Sequence, residues 1–416
     1  MALEKEGQIK LDQLTMAEKL NFISEGTYGC AFKKEEPKNK KTKIVVKIQK
    51  YNNEAKREDE IGSMIKKIPK YQLYFAPILK SNIVTIGEVN DEEIKKCTIV
   101  TNEQNIKEKY VTNRIKYVGK NTLGSHIVNI FEQKPKQFMR TFFGSYFDML
   151  YTLNLLNKNG IIHFDLKENN VMYDEQHDRP VLIDFGLSII TKYLTPDKYS
   201  DFFFTYGYDY PPWCFEISVI SYAIEEYGTT FDKELLTAEQ VEKLCNNFTN
   251  INPIFFNDGE TGHHEIFSET ERTEYNKKLK TYLQPLVGGS WKVVVDSNIQ
   301  YINNWDIYAV HVMYLLLLYH VHIYEYNTEE YAFVKSFIDK LKREITATPA
   351  ERKTYDQINA ELMKDFGESD RNQVGTILSN ISVASESEEK TSDIKLKLNK
   401  LKLRELKKEK QHYPNS

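Results

Sequence analysis

Cysteine is scarce in this sequence: Cys30, Cys97, Cys214 and Cys245 are the only four in 416 residues. No two form a CxxC pair or stand with histidines at a zinc-ligand spacing, which argues against both a disulfide framework and a structural zinc site. That usage fits a reducing compartment, cytoplasmic or nuclear, better than secretion. The opening MALEKEGQIKLDQL has no apolar core of the kind a signal peptide needs. No uncharged run is long enough to cross a bilayer either. The nearest candidate, YAVHVMYLLLLYHVHIY from Tyr308 to Tyr324, carries His311, His320 and His322 and reads as a buried core helix. A formal charge of -4 leaves no basic excess, so nucleic acid is not an expected partner. What the chain does have, 41% hydrophobic, 28% charged and 12% aromatic residues, is the composition of a folded protein. Its length suits two lobes around a sizeable core.

Phe22 to Ile48 alternates as strand, glycine turn, strand, charged loop and the apolar strand IVVKI, a small antiparallel sheet. Between Lys56 and Ile68, Ile61, Met64, Ile65 and Ile68 share one helical face that stops before Pro69. Ile83 to Tyr117 reads as further strands interrupted by the polar stretch EVNDEEIKKC. The second half turns helical. Phe138 to Asn159 carries apolar residues at helical spacing, with Gly160 as its C-cap. It delivers the chain to His163.

Phosphoryl transfer asks a protein to hold phosphates in line, neutralise their charge and orient the attacking hydroxyl. ISEGTYGCAF supplies Gly26 and Gly29, where backbone N–H groups can approach phosphates without a side chain in the way. By itself that pattern is a common turn. Lys47 follows Gly29 by eighteen positions on an otherwise apolar strand, where an unpaired ammonium is costly, so it calls for anionic partners. A helix carboxylate from KREDEIGSMIKKI is one such partner. Glu60 is favoured because Ile61 follows it, although Glu58 leaves a good apolar face too. HFDLKENN is the strongest element: Asp165 can accept the proton of the acceptor hydroxyl, Lys167 can reach the transferred group, and Asn170 can hold a magnesium ion. Asp184 in VLIDFG, nineteen positions after Asp165, is the main magnesium carboxylate.

The order GTYG, VVK, HxDLKxxN and DFG resembles the eukaryotic protein-kinase family from about Phe22 to Ile381. The resemblance implies an α+β, bilobal protein-kinase fold, with a small antiparallel-sheet N-lobe over 21–116 and a larger, mostly helical C-lobe over 117–381. Residues 1–20 would be an N-terminal extension and 382–416 an acidic linker with a basic amphipathic tail. It also implies ATP and magnesium as cofactors. The nucleotide would be cradled by Ser24, Glu25, Gly26, Thr27, Tyr28 and Gly29, roofed by Ala31 and Lys47, and bonded through the backbone of Tyr117 and Val118, with Ile115 guarding the back pocket. WDIYAVHVMYL resembles the family's buried central helix, with Asp306 beneath the catalytic loop. ATPAERKT resembles its PxxRxT segment, which makes Arg352 a partner for Glu216. Lys167 is the family feature of serine/threonine kinases, so the implied activity is phosphorylation of serine or threonine on protein substrates.

Four departures qualify the match. Ser24 replaces the first loop glycine, and Phe164 replaces the arginine that in the family grips a phosphate on the activation loop. The segment TYGYDYPPWCFE replaces the usual APE, and about 217–301 is an insertion before the central helix. His263 and His264 have no further ligands at a recognised spacing and read as a solvated loop. The tail IKLKLNKLKLRELKKEK puts Ile394, Leu398 and Leu401 on one stripe among cations, a solvated helix or a contact for anionic membrane or an acidic partner. Residue usage and the large insertion also resemble kinases of large nucleocytoplasmic DNA viruses. Two other functions share the fold: an ATP-binding pseudokinase scaffold, against which the full set Lys47, Asp165, Asn170 and Asp184 argues, and a small-molecule phosphotransferase, which the altered segment and the insertion leave open.

Overall fold

A computed structural model describes residues 9–11, 19–26, 29–34, 43–86, 91–101, 108–256, 265–322 and 332–366. Thr27 and Tyr28, His263 and His264, and the whole basic tail lie outside the described residues. Two compact units emerge. The first comprises the described residues up to Thr122 with Leu155–Asp165 and Asn169–Thr191; the second holds Leu123–Asn154, Leu166–Glu168 and the described residues from Lys192 on.

The first unit is built on a six-stranded sheet, β1 (Ile9–Lys10), β2 (Leu20–Gly26), β3 (Gly29–Lys34), β4 (Ile44–Lys50), β5 (Ile78–Thr85) and β6 (Lys109–Lys116). Its order is β1-β5-β6-β4-β3-β2. All pairings are antiparallel except β1, which pairs parallel with β5, so the amino-terminal stretch adds an edge strand that its polar sequence did not announce. Alternation sets the faces of β4: Val46 and Ile48 are fully buried in a cluster with Leu20, Phe32 and Tyr110, which turns Lys47 and Gln49 to the opposite side. Helix α1 (Asn53–Ile65) begins at Asn52, whose side chain accepts from Ala55 N at 2.9 Å, a standard N-cap. It buries Ala55, Glu58, Ile61, Gly62 and Ile65.

Between β5 and β6, a 3₁₀ turn at Ile94–Lys96 falls in the polar stretch, and the short helix α2 (Thr98–Thr101) stands where strand was expected. This segment brings Cys97 to Cys30 on β3, and the two form a disulfide across 67 residues. That overturns the expectation of no cystine. Local spacing is silent about a pair whose closeness comes from sheet packing. Cys214 and Cys245 are free and buried.

The second unit is helical: α3 (Leu123–Gln133), α4 (Pro135–Lys158), α5 (Phe215–Tyr227), α6 (Ala238–Asn250), α7 (Glu269–Leu283), α8 (Trp291–Ile299), α9 (Trp305–His320), α10 (Ala332–Ile345) and α11 (Tyr355–Phe366). After α4 the chain turns at Gly160, whose φ of 71° lies in the left-handed region that favours glycine. Helix α9 is the apolar stretch noted in the sequence, and it is buried on nearly every side. Tyr314 packs on Phe142 and Tyr146 with ring centroids 5.2 and 5.0 Å away. Its hydroxyl donates to Ser145 Oγ at 2.9 Å. Burial pulls the His311 pKa down to about 3, with Arg352 and Lys353 adding to it, so that imidazole is neutral. No helix among the described residues is long and apolar enough to cross a membrane.

Candidate active site

The hairpin β2–β3 closes with Gly26 opposite Gly29. The two glycines have different reasons to be there. A Cβ on Gly29 would lie 2.4 Å from Ile48 O and 2.9 Å from Gln49 Cβ, so strand packing already excludes a side chain. Among the described residues, a Cβ on Gly26 would meet nothing closer than 3.9 Å, which leaves space there for a ligand to approach that backbone. Ser24 and Glu25 beside it are exposed. Ala31 lies directly opposite Lys47 across β3 and β4.

Lys47 Nζ stands 2.8 Å from Asp184 Oδ1 and 3.3 Å from Glu58 Oε1. Glu58, not Glu60, is therefore the helix carboxylate. Two residues along an α-helix is a rotation of about 200°, and the face carrying Ala55, Ile61 and Ile65 takes Glu58 with it. At 2% exposure Glu58 is buried, and it also accepts from Gln49 Nε2 at 2.8 Å. Gln49 was missed in the sequence, yet strand alternation from Lys47 points to it. Burial alone would pull the Lys47 ammonium down, but Asp184 and then Glu58 outweigh it and hold its pKa above the ordinary lysine value. Burial pushes the Glu58 carboxyl above its usual range despite Lys47. For Asp184 the opposing pull of Lys47 outweighs burial and keeps the carboxyl below the usual range. Asn113, opposite Lys47 on β6, is fully buried, and its amide has no partner among the described residues. No local pattern around Asn113 pointed to it.

We expect Glu58→Gln to lower kcat/KM for ATP about 10²-fold by releasing Lys47 from its position, and Glu60→Gln to stay within about threefold. Steady-state kinetics on both, with thermal melts as a check on folding, would reverse the assignment if the two effects were exchanged.

The short strands β7 (Ile161–Ile162) and β10 (Ile189–Ile190) pair and bracket the catalytic stretch, with the hairpin of β8 (Val171–Asp174) and β9 (Arg179–Leu182) between them. Asn170 Nδ2 donates to Asp165 O at 2.8 Å and to Asp165 Oδ2 at 2.9 Å. His163 Nε2 lies 3.1 Å from Ile183 O, and Ser188 Oγ donates to His163 O at 3.0 Å. Phe185 is buried between the rings of His163, 5.3 Å away, and Phe75, 6.4 Å away. Phe164 and Asp184 adopt φ of 68° and 57°, conformations that cost a non-glycine residue about 1–3 kcal/mol and cluster at functional sites.

One cleft is lined by Lys47, Glu58, Asp165, Asp184 and Gly186. Asp184 and Asn170 offer oxygen donors, and no cluster of three metal-ligating His, Cys, Asp or Glu occurs among the described residues. That donor set fits magnesium, which is held by one or two carboxylates together with water and substrate phosphates. Tyr117 and Val118 follow β6, but the Tyr117 N–H already donates to Lys43 O at 3.0 Å. The expected backbone contacts to a ligand therefore fall to the Tyr117 carbonyl and the Val118 N–H.

Lys167 belongs to the helical unit, where its Nζ lies 5.8 Å from the centroid of Tyr210. Tyr210 sits in the segment that departs from the family pattern. Tyr206 N donates to a Glu225 carboxylate oxygen, and Asn252 Nδ2 donates to Tyr208 O at 2.8 Å, so residues on and just after α5 and α6 hold this segment. Arg352 is ion-paired with Glu216, both buried.

A family model described as a protein kinase domain matches residues 17–230, just over half the chain. No curated protein matches it.

Proposed function

The chain belongs to the protein kinase family, and from that premise we propose that it transfers the terminal phosphoryl group of ATP to serine and threonine hydroxyls of protein substrates. The observation that carries this reading is the single cleft gathering Lys47, Glu58, Asp165 and Asp184, with Asn170 bonded to Asp165. Lys47, fixed between two carboxylates, binds the α- and β-phosphates. The open backbone at Gly26 faces the phosphates, and Ala31, the Tyr117 carbonyl and the Val118 N–H take the adenine. Asp165 orients the acceptor hydroxyl and receives its proton, and Lys167 steadies the group in transit. Magnesium held by Asp184 and Asn170 would offset charge on the phosphate oxygens. Phe164, 4% exposed, leaves no cation at the position that grips a loop phosphate, so competence does not wait on phosphorylation of Thr191, Tyr193, Thr195 or Thr205.

Purified protein incubated with magnesium, γ-labelled ATP and casein-like or basic acceptors should place label on phosphoserine or phosphothreonine. Lys47→Met should remove it, and phosphatase pretreatment should leave the rate within about twofold. Nucleotide-dependent thermal stabilisation without transfer would mean a scaffold instead. Consumption of ATP only alongside a metabolite would mean a small-molecule enzyme.

A further inference from the structure

We propose that Asp91–Thr101, between β5 and β6, is a brace for the glycine-rich hairpin, fastened by the Cys30–Cys97 disulfide, and that nucleotide affinity depends on that fastening. The proposal rests on the hairpin being the phosphate cradle. Three separate ties join elements far apart in sequence. The Glu25 carboxylate accepts from Thr98 N at 3.1 Å, Thr98 Oγ at 2.5 Å and Ile99 N at 3.3 Å. Phe22 N donates to Glu93 Oε2 at 2.7 Å. Cys30, one residue past Gly29, is bonded to Cys97, one residue before Thr98. The brace is itself anchored: Tyr110 OH on β6 donates to Ile99 O at 3.1 Å, and Ile94, Cys97 and Val100 are buried with Leu20, Phe32 and Ile48.

Two physical effects follow, and both act in the same direction. β2 ends the sheet order with β3 as its neighbour, so an edge hairpin held on its outer side spends less ordering entropy when it closes on a polyphosphate. Glu25 is also a negative charge next to Gly26, where phosphates would approach, and like charges repel. Three donors on the brace turn that carboxylate away and occupy it. If the brace is lost, the hairpin loosens and the carboxylate is released beside the phosphates.

Both sulfurs belong to fully buried residues. Exchange therefore requires the segment to open first, and the bond is a standing fastening rather than a quick sensor. A dithiol reductant supplies two electrons and two protons: one of its thiolates attacks a sulfur of the pair, its second thiol displaces the mixed disulfide, and Cys30 and Cys97 leave as thiols while the reductant closes into a cyclic disulfide. Glutathione disulfide reverses the reaction and releases two glutathione thiols.

The test uses the full chain, oxidised with glutathione disulfide or reduced with dithiothreitol, the bond being verified by intact mass. A fluorescent ATP analogue is titrated with magnesium against both forms, against Cys30→Ser/Cys97→Ser, and against Thr98→Val, which keeps the bond and removes one donor to Glu25. Reduction should weaken binding about tenfold, which is ~1.4 kcal/mol. The double serine variant should match the reduced protein and ignore redox state. Thr98→Val should weaken binding about threefold even when oxidised. Amide hydrogen exchange over 20–34 should rise on reduction. Equal affinity in the two forms, or failure of the bond to form under oxidation, would overturn the brace alone. Absence of nucleotide binding in every form would overturn the functional reading and the brace with it.

Discussion

Asp165→Asn is expected to lower the single-turnover rate of phosphoryl transfer about 10³-fold while leaving nucleotide affinity within about threefold, since a positioned general base contributes roughly 10²- to 10⁴-fold. The substitution preserves shape and removes the proton acceptor. Asp165 accepts from Asn170 through both its backbone oxygen and Oδ2. An asparagine can keep both bonds by presenting its amide oxygen, so Asn170 and any metal it holds should stay in place. That separates this variant from Lys47→Met, which should weaken nucleotide binding as well. Rapid-quench measurement of product and a nucleotide titration on the same preparation give both quantities. A rate within about threefold of the unaltered protein would remove Asp165 from the mechanism.

The second large effect is on stability. Arg352→Met should destabilise the protein by about 3–5 kcal/mol, the usual result of removing one partner from a buried ion pair. Glu216 is fully buried, and Arg352 is 7% exposed with its guanidinium 4.9 Å from the Tyr308 ring. Without the arginine, the carboxylate must stay charged in an apolar interior or take up a proton, and both cost free energy. Total stabilities run to about 5–15 kcal/mol, so the soluble yield should fall as well. The double variant Glu216→Gln/Arg352→Met should recover a large part of the loss, because an amide opposite a thioether leaves no buried charge. Urea denaturation of the two single variants and the double variant closes the cycle. A loss below about 1 kcal/mol for Arg352→Met would show that the pair carries little of the fold's stability.

Motifs whose residues lie close in sequence were legible without coordinates. HFDLKENN sets Asp165 and Asn170 five positions apart, and a single tight turn brings their side chains together. The apolar stripe that ends near Gly160 and the largely apolar α9 were equally plain, because helical burial follows from a period of 3.6 and a helix apolar nearly all round is a buried one. The pairing of Glu216 with Arg352 was legible for another reason: it came from family resemblance rather than from any local pattern.

Decisions that depend on how elements dock were not written in any short stretch. Glu58 and Glu60 both fit the helix sequence, and only the rotation of α1 against the sheet chose Glu58. That the Tyr117 N–H is taken by Lys43 O, just before β4, follows from strand pairing and not from the residues around Tyr117. Cys30 and Cys97, 67 residues apart, gave no spacing signal because their encounter is arranged by strand order and not by chain length. Asn252 reaches Tyr208 across 44 residues for the same reason. Sequence by itself determined the chemistry on offer at each position, since residue type and local periodicity fix charge, donor set and buried face. Tertiary structure decided which of those groups meet, because pairing free energy depends on distance in space, and that distance is set only when separate elements pack on one another.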